Sequence, residues 1–252
     1  MNTLAINNMT LVLAASLVVI SLFLSYKEQL KLEKSIIVSV VRAVVQLTVI
    51  GYVLKYVFQS SQLVLVIAMF LVICFNASYN AAKKNPGIPN IFRTSLIAIT
   101  SGTLVTLAIL VASGSIQLVA SQVVPITGMI ASNSMVAIGL CYRHMTTAFK
   151  DRRQQVQERL ALGANLKQAS RIIVRESIRT GITPTLDSTK TMGIVSLPGM
   201  MSGLIFAGVD PVHAIKYQIM VVFMLMSTTA IASVIACYGS YRGYFNEYDQ
   251  LV

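Results

Sequence analysis

Few side chains in this chain can hold a metal, move a proton or attack a substrate. Its 252 residues include two histidines, His144 and His213, and three cysteines, Cys74, Cys141 and Cys237. The cysteines lie far apart, at no metal-ligand or redox spacing, and read as small apolar packing residues. Asp210 and His213 suit either a weak metal site or a helix start, with Asp210 as N-cap and Pro211 in the first turn. Met200 and Met201 offer thioethers, soft ligands that suit Cu(I) better than iron. In so apolar a chain, packing is the commoner use of methionine, and the metal ligands, if any, stay unknown. No Ser-His-Asp or Glu-x-x-His assembly can be built, and no Gly-x-x-x-x-Gly-Lys-[Ser/Thr] loop occurs to cradle a phosphate. The chain therefore reads as no enzyme, binding no cofactor of its own.

The elements that carry these residues are membrane helices. Apolar residues make up 55% of the chain and charged residues 12%, where soluble domains have roughly 45–50% and about 25%. Seven windows have the length and apolar character of a bilayer-crossing helix: Leu4–Leu24, Ile36–Phe58, Leu63–Ala81, Thr94–Ala112, Val123–Cys141, Met192–Val209 and Ile219–Tyr238. Alternating strands are absent, so the expected fold is all-α and multi-spanning, not a barrel. The first basic residue, Lys27, follows the first window, which is therefore expected to stay as a span and not to be cleaved as a signal peptide.

The formal charge of +11 suggests nucleic acid until its distribution is read. With seven spans and the N-terminus outside, 17 of the 20 basic residues fall in inner connections, as the positive-inside rule requires. No basic run interleaves with exposed aromatics, so nucleic acid is not the expected partner. Lipid is. The outer connections Gln59–Gln62 and Ser113–Gln122 are too short and plain to fold a receptor or enzyme domain. Inside, Lys27–Lys34 is a short linker, and Lys83–Arg93 is another with a turn at Asn85-Pro86-Gly87 and Pro89.

The third inner connection differs. Residues 143–190, between spans five and six, carry ten basic and four acidic residues and are rich in helix formers. They predict one helix over Thr147–Leu162, ended by Gly163 with φ > 0. A second starts at Asn165, with Gln168 completing a capping box, runs through Arg179 and stops near Gly181 and Pro184. Leu166, Ala169, Ile172, Ile173 and Ile178 form its apolar stripe, opposed by Lys167, Arg171, Arg175 and Arg179 on a face suited to anionic headgroups. A helix–Gly–helix corner of this kind fits either a cleft in a cytoplasmic motor or a lipid surface. In the motor reading Leu160 and Leu162 are apolar anchors and Glu158 and Arg159 polar contacts at the rim.

Polar residues inside the spans are the remaining candidates. Arg42 shares a stripe with Ser35, Ser39 and Gln46 and either lines a pathway, locks a helix or snorkels to the headgroups. Asn76 and Asn80 share a face of the third span, and Asn133 sits in the middle of the fifth; bonding between helices is the commoner use of such residues, lining a pore the other. Asp187, at an inner edge, is the nearest carboxylate for a cation. In Leu197-Pro198-Gly199-Met200-Met201-Ser202-Gly203, Pro198 is expected to free a helix carbonyl, and Gly199 with Gly203 to make a close-packing face suited to a dimer seam.

Glu158-Arg159-Leu160-Ala161-Leu162-Gly163-Ala164 resembles the coupling loop of ABC-transporter permeases, with Asn165 directly after it. Arg42-Ala43, Gln46-Leu47, Gly51-Tyr52, Cys74-Phe75-Asn76-Ala77, Gly128-Met129-Ile130-Ala131 and Asn133-Ser134-Met135 resemble the FetB-type permeases, the membrane half of a bacterial iron exporter. So do Ser196-Leu197-Pro198-Gly199-Met200-Met201-Ser202-Gly203 and the run Asp210–Met220. The resemblance implies one permease domain over residues 1–252, homodimeric, in the bacterial inner membrane. It implies a partner, a cytoplasmic ABC ATPase that holds ATP and Mg, and export of iron or another metal. A different small or anionic substrate is an open alternative, as is a scaffold or signalling protein that recruits a partner through residues 143–190.

Overall fold

A computed structural model describes residues 8–59, 63–85 and 87–251. Most of the connection Gln59–Gln62, the first residues of the window Leu4–Leu24, and Pro86 of the predicted turn lie outside the described residues. Among the described residues six helices are long and apolar enough to cross a membrane: Met9–Lys27, Glu33–Phe58, Leu63–Lys83, Ile91–Ala112, Ala120–Asp151 and Pro211–Tyr244. The chain is thus a multi-spanning helical membrane protein. It divides into two units, residues 1–61 and 62–252.

In the first unit α1 (Asn8–Ala14) and α2 (Ser16–Lys27) make one apolar rod interrupted at Ala15. Gln29 and Lys31, both at positive φ, turn the chain into α3 (Glu33–Gln59). Buried Ser25 pins this turn, donating to Glu33 Oε1 at 2.8 Å and accepting from the Leu32 N–H at 3.2 Å. Leucine, isoleucine and valine side chains stand exposed along both rods, for example Leu17 and Leu47. Such an outward apolar surface needs lipid as its solvent.

The second unit is built around α6 (Ala120–Asp151) and α10 (Pro211–Ser240), which pack on each other and on α5 (Ile91–Ala112). α4 (Leu63–Lys83) covers α5 and α6. Small residues let the helices approach: Cys74, Ala77, Ala98, Ala131, Ala232 and Ala236 are all buried in one cluster with Ile138 and Tyr142. Hydroxyls tie the helices across this core, Ser95 to Tyr142 at 3.1 Å and Thr106 to Thr228 at 2.8 Å. Cys74, Cys141 and Cys237 are buried and unlinked, as packing residues should be.

Between α6 and α10 the chain departs from the sequence expectation in three ways. The helix predicted from Thr147 is not separate at its start: α6 runs on to Asp151 and hands over at Arg152 to α7 (Arg153–Ala161). The next helix, α8 (Leu166–Thr191), does not stop at Gly181 or Pro184 but passes through both. Gly181 is a contact, not a terminator, for a Cβ there would collide with Cys141 Sγ and lie 2.9 Å from the Ala137 carbonyl oxygen. Close packing on α6 holds the helix through the proline. Third, the window Met192–Val209 is not one helix. Met192–Pro198 is unwound, and only α9 (Gly199–Phe206) is helical, with Pro198 as its N-cap and not a kink inside it.

The physical reason is visible in the partners along α6. Gly181 lies against Cys141 and Ala137, Met192 shares a cavity with Asn133, and Met200 packs against the cluster that holds Ile126, Ile130, Val221 and Met224. From Gly181 to Met192 α8 therefore runs antiparallel to α6, and after the break α9 packs on α10. Tyr241–Tyr244 closes α10 as a 3-10 turn.

Candidate functional site

The first candidate site is the α7–α8 corner. α7 ends by a Schellman motif: the Gly163 N–H donates to the Leu160 carbonyl and the Ala164 N–H to the Arg159 carbonyl, both at 3.0 Å. Gly163 has φ +88°, so glycine is required there by the backbone itself. Two residues later Asn165 Oδ1 accepts from the Gln168 N–H at 2.9 Å, and Gln168 Oε1 accepts from the Asn165 N–H at 3.1 Å. The predicted capping box is present. The corner is thus fixed by its own backbone.

Its side chains divide by direction. Leu162 is 89% exposed at the apex, an apolar side chain that none of the described residues covers. Leu160 is half-buried and packs toward the cluster of Met145, Phe149, Val156, Ile173 and Val174. Glu158 accepts from Gln154 Nε2 at 2.9 Å on the outer face, and Arg159 reaches back to the Ala169 carbonyl at 3.4 Å. Arg152 and Glu176 form an ion pair at 2.8 Å across the corner, and His144 bonds Ser177 at 2.9 Å.

The segment after α10 braces the same corner. Tyr244 stacks on Phe149 with 4.3 Å between ring centroids, Leu251 is buried in the cluster around Val156, and Arg153 Nη2 donates to the Leu251 carbonyl at 3.0 Å. An open cleft of about 1070 Å³ is left between α7, α8 and this segment, lined in part by Arg153, Gln157, Asn165, Lys167, Arg242 and Asp249. Three cations against one carboxylate make it basic. Val156 and the Arg153–Leu251 contact were not legible as site residues; the one sign was a lone apolar β-branched residue in a polar helix.

The second candidate site is the break after α8. Gln218 of α10 is buried there. Its Nε2 donates to Met192 Sδ at 3.6 Å, and its Oε1 has no partner. An acceptor left so costs about 1–3 kcal/mol. Met201 and Pro198 line a cavity of about 390 Å³ beside it. Met200 instead packs against the cluster of Ile126, Ile130, Val221 and Met224. Gly199 and Gly203 have nothing within 4 Å of where a Cβ would stand, so they face open space on α9.

Apart from Asn133, which shares a cavity with Thr189 and Met192, the other predicted residues are not gathered at either place. Among the described residues Asn76, Asn80 and Asn133 bond within their own helices: each Nδ2 donates to the carbonyl four residues earlier, at 3.2, 2.8 and 2.9 Å. Asparagine satisfies itself this way within its own helix. Asn133 also lines a cavity of about 130 Å³ with Thr189 and Met192. Asp187 is exposed and paired with Lys190 at 3.2 Å. Arg42 and Gln46 are exposed on α3 in the first unit. Asp210 caps α10, accepting from the N–H groups of Val212 at 2.9 Å and His213 at 3.3 Å, and its Oδ1 lies 3.3 Å from His213 Nδ1. The His213 N–H and ring, then the Val212 N–H, hold the Asp210 carboxyl below its ordinary value. Among the described residues no group of three or more His, Cys, Asp or Glu is placed to hold a metal ion.

Residues 8–245 match the family described as Uncharacterised protein family (UPF0014). The chain is 55% identical over its whole length to the Escherichia coli (strain K12) protein named "Probable iron export permease protein FetB", covering 97% of it. It is 35% identical to the "UPF0014 membrane protein YjkA" of Bacillus subtilis (strain 168), over 96% of this chain and 97% of the relative. To the Arabidopsis thaliana "Protein ALUMINUM SENSITIVE 3" it is 33% identical, over 94% of this chain and 88% of the relative. No solved structure matches the chain.

Proposed function

The chain belongs to the UPF0014 family, and on that premise we propose that it is the permease subunit of an ATP-driven ABC transporter that exports iron or another metal. It is a multi-pass protein of the bacterial inner membrane in this reading, and works as a homodimer. A cytoplasmic ABC ATPase holds the ATP and Mg and docks at the α7–α8 corner. The observation that carries the proposal is Leu162, an apolar side chain held 89% exposed at the apex of a self-capped corner. A lone exposed leucine is ordinary on a surface; what supports an interface is that this one is held at the apex of a rigid corner beside a basic cleft.

The remaining geometry supports the same reading. The basic cleft beside the apex accepts acidic and polar groups of the motor, and the Arg152–Glu176 pair links α6 to α8. A push on the corner is carried along α8, a continuous rod of 26 residues, to the helix break at its far end. Closure of the two motors on ATP would move the paired corners and change access at that break. The name of the E. coli relative supports iron as cargo and export as direction.

Co-purification tests the proposal. The wild-type chain should bring down a subunit with a Walker-type phosphate loop, and Gly163→Asp, which strains the positive-φ position and places a charge at the apex, should reduce that association at least tenfold. The variant must still melt at the wild-type temperature to count. A Gly163→Asp protein that assembles and transports normally would remove the coupling assignment. Everted vesicles supplied with ATP test direction, since export from cells appears there as metal uptake.

A further inference from the structure

The break after α8 has the makings of a ligand site that the coupling corner lacks. Met192 ends α8 in extended backbone, Gly193 takes φ +85° and donates its N–H to the Ser196 carbonyl at 2.9 Å, and Pro198 starts α9. The break therefore places the C-terminal end of one helix, where carbonyls and the negative dipole end collect, beside the buried Gln218. Gln218 stands opposite, about 10 Å along α10 from its start at Pro211 at 1.5 Å per residue. Broken helices that meet in this way supply cation sites in other transporters through unwound backbone and half-helix ends.

The donors decide what such a site holds. They are the Gln218 amide oxygen, buried and without a partner, the Met192 thioether in contact with the same amide, and Thr189 and Met201 on the wall of the adjoining cavity. All are neutral. The nearest carboxylate, Asp187, is paired with Lys190 and exposed. Trivalent ions such as Fe(III) or Al(III) require several anionic oxygens, which are missing here, whereas thioethers favour soft, polarisable ions. The orphaned Oε1 is the second observation: it faces desolvation that a cation relieves and that no protein donor does.

We propose that Gln218, Met192 and Met201 form an intramembrane site at the α8–α9 break for a reduced, soft or borderline transition-metal cation of low charge. As a station on a transport path the site rests on the permease reading; as a binding site it stands without it.

The test uses the full-length chain purified in detergent with no ATPase present, so it cannot fail for want of coupling. Cu(I) under reducing conditions and Fe(II) under anaerobic conditions are titrated against competing chelators, with Fe(III) and Al(III) as the hard ions. One Cu(I) or one Fe(II) per chain, with no retention of the trivalent ions, is the expected result, and the tighter of the two names the metal. The volume-conserving pair Met192→Leu and Met201→Leu should weaken binding at least tenfold with unchanged melting. Gln218→Leu should weaken it about tenfold while raising the melting temperature of the metal-free protein, because the orphaned acceptor is gone. Failure of the wild type to retain either reduced ion overturns the proposal, as do methionine variants that bind like the wild type or trivalent ions that bind as tightly. Any of these results leaves the Gly163→Asp experiment, and the permease reading, untouched.

Discussion

At its first residues α8 is held by a Schellman turn, a capping box and the nearby Arg152–Glu176 ion pair. At its last it runs out into Met192–Pro198, where Gly193 sits at positive φ and Ile194 is 89% exposed. Beside that end Gln218 Oε1 goes unbonded. One end of the helix is capped locally, and beside the other an acceptor on α10 stays open. A fully satisfied terminus is stiff and transmits force; a terminus with an unmet acceptor gains energy from a ligand and is free to rearrange around it. On the proposed reading the contrast gives a mechanical role to one end of the rod and a chemical role to the other.

The contrast breaks first if the rod itself is not continuous. Gly181→Val puts three carbons where a single Cβ already meets Cys141 Sγ and the Ala137 carbonyl, and overpacking of this kind costs about 1–3 kcal/mol. The largest loss of thermal stability in detergent is expected here, together with loss of communication between the two ends. A variant that melts like the wild type would mean that α8 does not lie on α6 as described. Next, Asn165→Ala removes the cap of the stiff end and should cost about 1 kcal/mol, read as a lower melting temperature and faster amide exchange confined to residues 165–170. Equal exchange at 165–170 and 192–198 in the unaltered protein would erase the distinction between the ends.

The smallest effect is at Asp210, outside both ends. Its carboxyl is held below the ordinary value by the His213 and Val212 bonds. The charged form is therefore favoured by folding. That contribution is complete above the ordinary carboxylate pKa and is lost as pH falls through the lower folded value. Asp210→Asn keeps a capping oxygen and should flatten this acid limb of the stability profile, with little change near neutral pH. An unchanged acid limb would show that the cap does not depend on charge.

Local chemistry was legible in residue order. Gly163, Asn165 with Gln168, and Asp210 with Pro211 each act within four residues of themselves, so their spacing alone predicted the turn, the box and the cap. The spans were legible because a run of apolar side chains has one solvent in which it is stable. Gly181 and Pro184 misled because both are helix breakers by propensity, and propensity yields to a close-packed neighbour. For Asn76, Asn80 and Asn133 residue order left the partner open, because an amide's choice between its own helix and another depends on whether another is within reach.

The order of residues by itself determined that this chain crosses a membrane many times, that its basic charge gathers in one long connection, and that a glycine corner with a capped helix follows. These are properties of composition and of contacts a few residues apart. Only the tertiary structure decided that α8 continues past its apparent stops, that the apolar window after it is unwound at Met192–Pro198, and that Gln218 ends up beside that break with an oxygen to spare. Those depend on which helix lies against which, and residues 26 apart, such as Met192 and Gln218, meet only when the packing of α6, α8 and α10 brings them together.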